Sequence, residues 1–146
     1  RANGARVLER KGVLRYQINM TGKAAHAGNA HKEGRSAINE AAYWTLQLAA
    51  QTNYETGLTV NVGRIEGGMI YNSVAADCYM DVDVRITDKS QVAIMEAAIA
   101  KLKEHAATAE IGVTVANPVS QPPMASTPDT AGLVAIIDAA STKSSV

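Results

Sequence analysis

The most constraining feature is a strict alternation in the segment from Asn72 to Ile86. There Cys78, Met80, Val82, Val84 and Ile86 hold one parity, and Asp77, Tyr79, Asp81, Asp83 and Arg85 hold the other. Successive side chains of a strand point to opposite faces, so this is a strand with one apolar and one polar face. Such a strand belongs to a sheet covered on one side only, which points to antiparallel pairing. Three further stretches show the same period. They run from about Val13 to Thr21 (Leu14, Tyr16, Ile18 and Met20 inward), Leu58 to Ile65 (Leu58, Val60 and Val62 inward) and Ile111 to Val115.

Two helical patterns separate the strands. Ser36 is placed to cap the first, and Ile38, Ala41, Ala42, Thr45, Leu48 and Ala49 repeat at three-and-four spacing to about Thr52. Asp88 and Gln91 have the spacing of a capping box for the second, whose stripe is Val92, Met95, Ile99, Leu102 and Ala106. Gly67-Gly68 marks a turn between the second and third strands. The order β-α-β-β-α-β predicts an α+β, ferredoxin-like sandwich: a four-stranded antiparallel sheet with two helices on one face. Its usual strand order, 4-1-3-2, makes strands two and four the edges. After residue 117 the prolines 118, 122, 123 and 128 read as a linker, and Asp129 to Ala140 as a helix with nothing in this chain to pack on. The expected division is residues 1–117 as one domain and 118–146 as a linker with the first helix of another.

Composition narrows function mostly by exclusion. The 14 basic and 14 acidic residues cancel, so no charge footprint suggests nucleic acid or an anionic membrane. Tyr79 alone among aromatics falls on the open sheet face, where an RNA-binding sheet would carry several. No apolar run approaches the roughly 20 residues of a membrane helix. The single cysteine, Cys78, allows no internal disulfide and is expected to be a buried thiol. No Met precedes Met20, so the chain reads as starting within a longer protein.

After strand one comes Thr21-Gly22-Lys23-Ala24-Ala25-His26-Ala27-Gly28, then Gly34-Arg35-Ser36-Ala37-Ile38. Asn72 precedes Arg85, within Asp83-Val84-Arg85, by about thirteen residues, and the tail carries Gln121-Pro122-Pro123-Met124 and Thr127-Pro128. Together these resemble the dimerisation (lid) domain of the glutamate carboxypeptidase, aminoacylase and succinyl-diaminopimelate desuccinylase superfamily of zinc metallopeptidases. The resemblance spans nearly the whole chain. Two positions depart from it, since the family often has Pro where His31 and Ala75 stand.

The resemblance implies a homodimer, a partner catalytic domain carrying the zinc and its ligands, and a small acyl-amino-acid or peptide substrate cleaved at an amide next to a free carboxylate. This chain itself contributes no metal ligand, and alone it is expected to be inactive. In the family the His at position 26 reaches into the neighbouring subunit's site and donates to the oxyanion; the residue-based alternative is a loop histidine bonded to backbone. Arg85 would anchor the substrate carboxylate, or else pair with Asp83 or Asp81. Asn72 would bind near the substrate carbonyl, or else serve as a turn residue. Lys23 is expected to shape the loop, and His31 and His105 to be solvated. A stand-alone ferredoxin-like ligand-binding module, or a purely structural dimerisation module, are the competing readings.

Two expectations concern geometry. With Asn72 and Arg85 at opposite ends of one strand, roughly 40 Å separates them. His26 and Asn72 then share one end, which suggests two sites shared across a dimer. The dimer is expected to form through helix one and edge strand two (Leu58 to Arg64), with Tyr43, Trp44, Gln47 and Gln51 on the outward side of the helix.

Overall fold

The computed structural model describes residues 7–143. Strands β1 (Gly12–Thr21), β2 (Thr59–Gly67), β3 (Asp77–Ile86) and β4 (Gly112–Gln121) form one antiparallel sheet in the order β2-β3-β1-β4. That is the expected order, with β2 and β4 at the edges. Helices α1 (Ala37–Ala49) and α2 (Ser90–Glu104) cover one face, and a third helix, α3 (Pro128–Lys143), follows β4. The alternation in β1 and β3 is realised as read: Leu14, Tyr16, Ile18 and Met20 meet Cys78, Met80, Val82, Val84 and Ile86 in the core, together with Met95, Ile99 and Leu102 of α2. Burial pushes the Cys78 thiol above its ordinary range, which keeps it an unreactive core residue.

Three local departures have physical causes. β2 carries a bulge between Val62 and Arg64, where Gly63 is the extra residue. The bulge restores the parity of Ile65, which pairs with Met80 as Val62 pairs with Val82, so Val60, Val62 and Ile65 share the core side despite their uneven spacing. β4 runs on through position 118 to Gln121, although the sequence placed a linker there. Residues 117 and 118 together oppose Tyr16, and an edge strand at a bulge is where a ladder tolerates proline.

The third departure corrects the face of α1. Its buried residues are Ala37, Glu40, Ala41, Trp44 and Leu48, one position back from the expected stripe. Trp44 is fully buried, so it is no surface aromatic. Its indole N–H donates to Glu40 Oε1 at 2.9 Å, and the Glu40 carboxylate also accepts from the backbone amides of Ala107 and Thr108. With this polar anchor inside, Ile38 and Leu46 are left exposed, at 42% and 70%.

Both caps form. Ser36 accepts from the Asn39 amide. Gln91 reaches back to the amides of Thr87 and Asp88, while Asp88 accepts from Ser90. Those bonds from Ser90 hold the Asp88 carboxyl below its usual range.

Candidate functional site

The loop after β1 is held by the segment before β3. The Gly22 amide donates to Ala76 O at 2.7 Å, Val74 to Ala25 O at 2.8 Å, and Ala27 to Asn72 O at 2.9 Å. Lys23 and Arg35 exchange backbone bonds, drawing the far arm of the loop alongside. Close approach explains two glycines. A Cβ at Gly22 would stand 2.0 Å from Arg35 O, and one at Gly34 would stand 2.7 Å from the Val74 side chain. Arg35 in turn pairs with Glu110 at 3.0 Å, tying the loop to the α2–β4 connection.

His26 is exposed on this frame. Its Nδ1 accepts from the backbone amides of Gly28 and Asn29, each at 3.1 Å. Its carbonyl accepts from Ala30 at 3.0 Å. His26 and Ser73 form a β-bridge, so His26 and Asn72 lie side by side in the backbone. Asn72 is also exposed, and it sits in a turn closed by the Ser73 amide on Ile70 O. The sequence placed it on strand three; β3 in fact begins at Asp77, so the roughly 40 Å strand span does not apply.

Beside this turn lies a groove of about 540 Å³, lined in part by Ala27, His31, Ile38, Met69 and Tyr71. The tip of the β2–β3 hairpin is apolar and open: Met69 and Tyr71 are each 95% exposed, with Ile70 between them. The sequence reading passed over this tip, whose signal was three consecutive apolar residues after a Gly-Gly turn.

Arg85 is at the other end. It pairs with Val13 and Thr59 across the sheet, whereas Asp77 pairs with Thr21. From Asp77 to Arg85 the strand spans roughly 26 Å at about 3.3 Å per residue. On the open face Arg85 holds Asp83, Nε to Oδ2 at 2.7 Å, and Arg15 reaches the same carboxylate at 3.2 Å. Here the ion pair weighed as the alternative for Arg85 is present. Farther along that face Tyr79 donates to Asp81 and accepts from Gln17, with the Arg64 guanidinium 5.5 Å above its ring. The bond to Asp81 raises the Tyr79 phenol above its usual range. His31 and His105 are exposed. Among the described residues no three His, Cys, Asp or Glu side chains are grouped as a metal ion requires, and no helix is long and apolar enough to cross a membrane.

Comparison with known proteins places this geometry. The family model described as the peptidase dimerisation domain matches residues 8–110. A polypeptide of the p-aminobenzoyl-glutamate hydrolase of Escherichia coli is 34% identical over 96 residues, which cover 59% of this chain and 22% of that protein. The crystal structure of an aminobenzoyl-glutamate utilization protein from Klebsiella pneumoniae superposes with a TM-score of 0.72 at 25% identity, covering 82% of this chain and 31% of that one. An aminopeptidase from Bacillus cereus gives a TM-score of 0.61 at 26% identity, covering 83% and 32%. The chain thus spans between a fifth and a third of the length of these relatives.

Proposed function

The chain belongs to the peptidase dimerisation domain family, and from that premise we propose that it completes the active site of a zinc-dependent carboxypeptidase or amidohydrolase. The reaction is hydrolysis of an amide bond next to a free carboxylate. The substrate named for the Escherichia coli relative, an acyl group joined to glutamate, is of this class. The observation that carries the proposal is the His26 loop. An exposed imidazole stands on a segment pinned by backbone bonds through Ala25 and Ala27, with Asn72 beside it. Dimerisation alone requires an apolar face and no such side chain.

In this reading His26 crosses to the other subunit's catalytic domain and donates to the oxyanion of the tetrahedral intermediate, with Asn72 contacting the carbonyl region. A positioned donor of this kind contributes about 3–4 kcal/mol to the barrier. Arg85, at the opposite end of the sheet, serves the site of its own subunit. Nε and one terminal nitrogen hold Asp83, and the other edge of the fork is turned to the substrate carboxylate. The zinc ligands belong to residues outside this chain, with α3 beginning the return to that domain. Two copies join through α1 and the open edge of β2, where Ile38, Ala42 and Leu46 stand one helical turn apart.

In the full-length enzyme His26→Ala should lower kcat about 100-fold or more with a smaller change in KM, as loss of a transition-state donor does. An unchanged kcat would leave His26 as a loop residue and the domain as a dimerisation module only.

A further inference from the structure

We infer that the backbone amides of Gly28 and Asn29 fix the His26 imidazole in the tautomer with its proton on Nε2, making His26 a hydrogen-bond donor there and not a base. The functional meaning rests on the role proposed for His26, while the tautomer itself can be measured without any activity.

A neutral imidazole carries one proton, and the nitrogen without it offers a single lone pair in the ring plane. Both amides lie 3.1 Å from Nδ1. Neither residue is proline, so each nitrogen brings a hydrogen that cannot be withdrawn. A proton on Nδ1 would face two others. The neutral ring therefore keeps its proton on Nε2, since the bond made at one nitrogen decides the state of the other.

The main chain reinforces this choice. The Ala30 amide on His26 O closes residues 26–30 into a turn that holds the Gly28 and Asn29 amides within reach of Nδ1. The flanking bonds from Val74 to Ala25 and from Ala27 to Asn72 fix where the ring is attached. Space is not the reason for the glycine. A Cβ at Gly28 would meet His26 Cε1 at 3.4 Å and Nδ1 at 3.5 Å, ordinary contact distances. What residues 28 and 29 supply is the N–H. Two histidine chemistries are thereby separated. A general base needs the lone pair on the exposed nitrogen, whereas an oxyanion donor needs the proton there. The loop supplies the second.

The test is nitrogen NMR of the uniformly ¹⁵N-labelled chain at mildly alkaline pH, where imidazoles are neutral. Nδ1 of His26 should resonate as an unprotonated ring nitrogen and Nε2 as a protonated one. Scalar coupling should be seen across the hydrogen bonds from the Gly28 and Asn29 amides. Exchange-averaged nitrogens, or a proton on Nδ1, overturn the inference. Gly28→Ala and Asn29→Ala keep both amides and should leave the spectrum unchanged; Asn29→Pro removes one and should move both nitrogens toward exchange-averaged values. Should the proline distort the loop, the wild-type spectrum and the two alanine variants still decide. In the full-length enzyme Asn29→Pro should lower kcat with little change in KM, while Asn29→Ala should keep it. A locked tautomer with fully active His26→Ala would sink the proposed function but not the tautomer. An averaged tautomer with inactive His26→Ala would do the reverse.

Discussion

Glu40 is a carboxylate with no exposed surface, set among Ala37, Ala41, Trp44 and Leu48. Three donors face it: the Trp44 indole and the amides of Ala107 and Thr108, the last at 2.6 Å. Truncating one partner of a buried hydrogen bond leaves the other to bear its desolvation. Glu40→Ala should therefore cost about 2–4 kcal/mol in urea unfolding, from the stranded indole plus the cavity. The double variant Glu40→Ala, Trp44→Phe should cost less than the two single changes summed, because donor and acceptor then leave together. Strict additivity would mean that the pair is not coupled. Periodicity gave no sign that Glu40 is internal, since a lone acid in a helix is ordinarily solvent-facing. The only cue was a Trp four residues on, within reach of a side-chain bond. Arg85 was identified from Asp83-Val84-Arg85, but that spacing also suits the ion pair that forms. The two roles separate in the full-length enzyme. Arg85→Ala should mainly raise KM for substrates with a free carboxylate and should hurt an esterified substrate less. Equal losses on both would leave Arg85 as Asp83's partner alone.

Elements were legible in proportion to how regularly their pattern repeats. β3 alternates over its full length and β1 from Leu14 onward, and their registers follow. β2 and β4 contain bulges: Leu58, Val60 and Val62 lie on the core side as expected, but the pattern is not regular beyond them, and the length of β4 was underestimated. Parity broke at Gly63, and Pro118 read as the end of a strand that in fact passes through it. α1 was placed correctly and capped as expected, yet its face was read one position off. Ala42 and Ala49 resemble core residues on any periodic count, while Glu40 does not. The candidate site was legible through its letters: Gly22, His26, Gly34, Asn72 and Arg85 all stood out. The bonds that aim His26 were not, because they come from main-chain amides, which every residue but proline possesses. A backbone donor leaves no compositional trace except the absence of proline.

At the scale of the whole molecule, the sheet has its candidate groups at two ends and one open apolar flank. His26 and Asn72 lie near the Thr21–Asp77 end, and Arg85 at the Gly12–Ile86 end. On the flank, Ile38, Ala42 and Leu46 line the outer side of α1, beside edge strand β2 with its half-exposed Ile65. An edge strand offers unpaired amides and carbonyls to a second strand, and an apolar helical face next to it supplies the hydrophobic core an interface needs. A two-fold axis there would pair β2 with its copy, joining two four-stranded sheets into one of eight strands. It would also carry each His26 loop toward the other subunit's catalytic domain. Since Leu46 is 70% exposed, a charge there costs the monomer little, whereas in a closed interface it is buried without a partner. Leu46→Asp should therefore shift the full-length enzyme from dimer to monomer in sedimentation and lower kcat together with it, while circular dichroism of the chain stays unchanged. Mixing His26→Ala protein with a variant lacking a catalytic-domain metal ligand should restore activity to about a quarter of wild type, because random exchange places half the chains in mixed dimers and each mixed dimer has one intact site. That recovery should vanish when both proteins also carry Leu46→Asp. A dimer that survives the aspartate, or mixed subunits that never complement, would remove α1 and β2 as the interface and His26 as a residue acting across it.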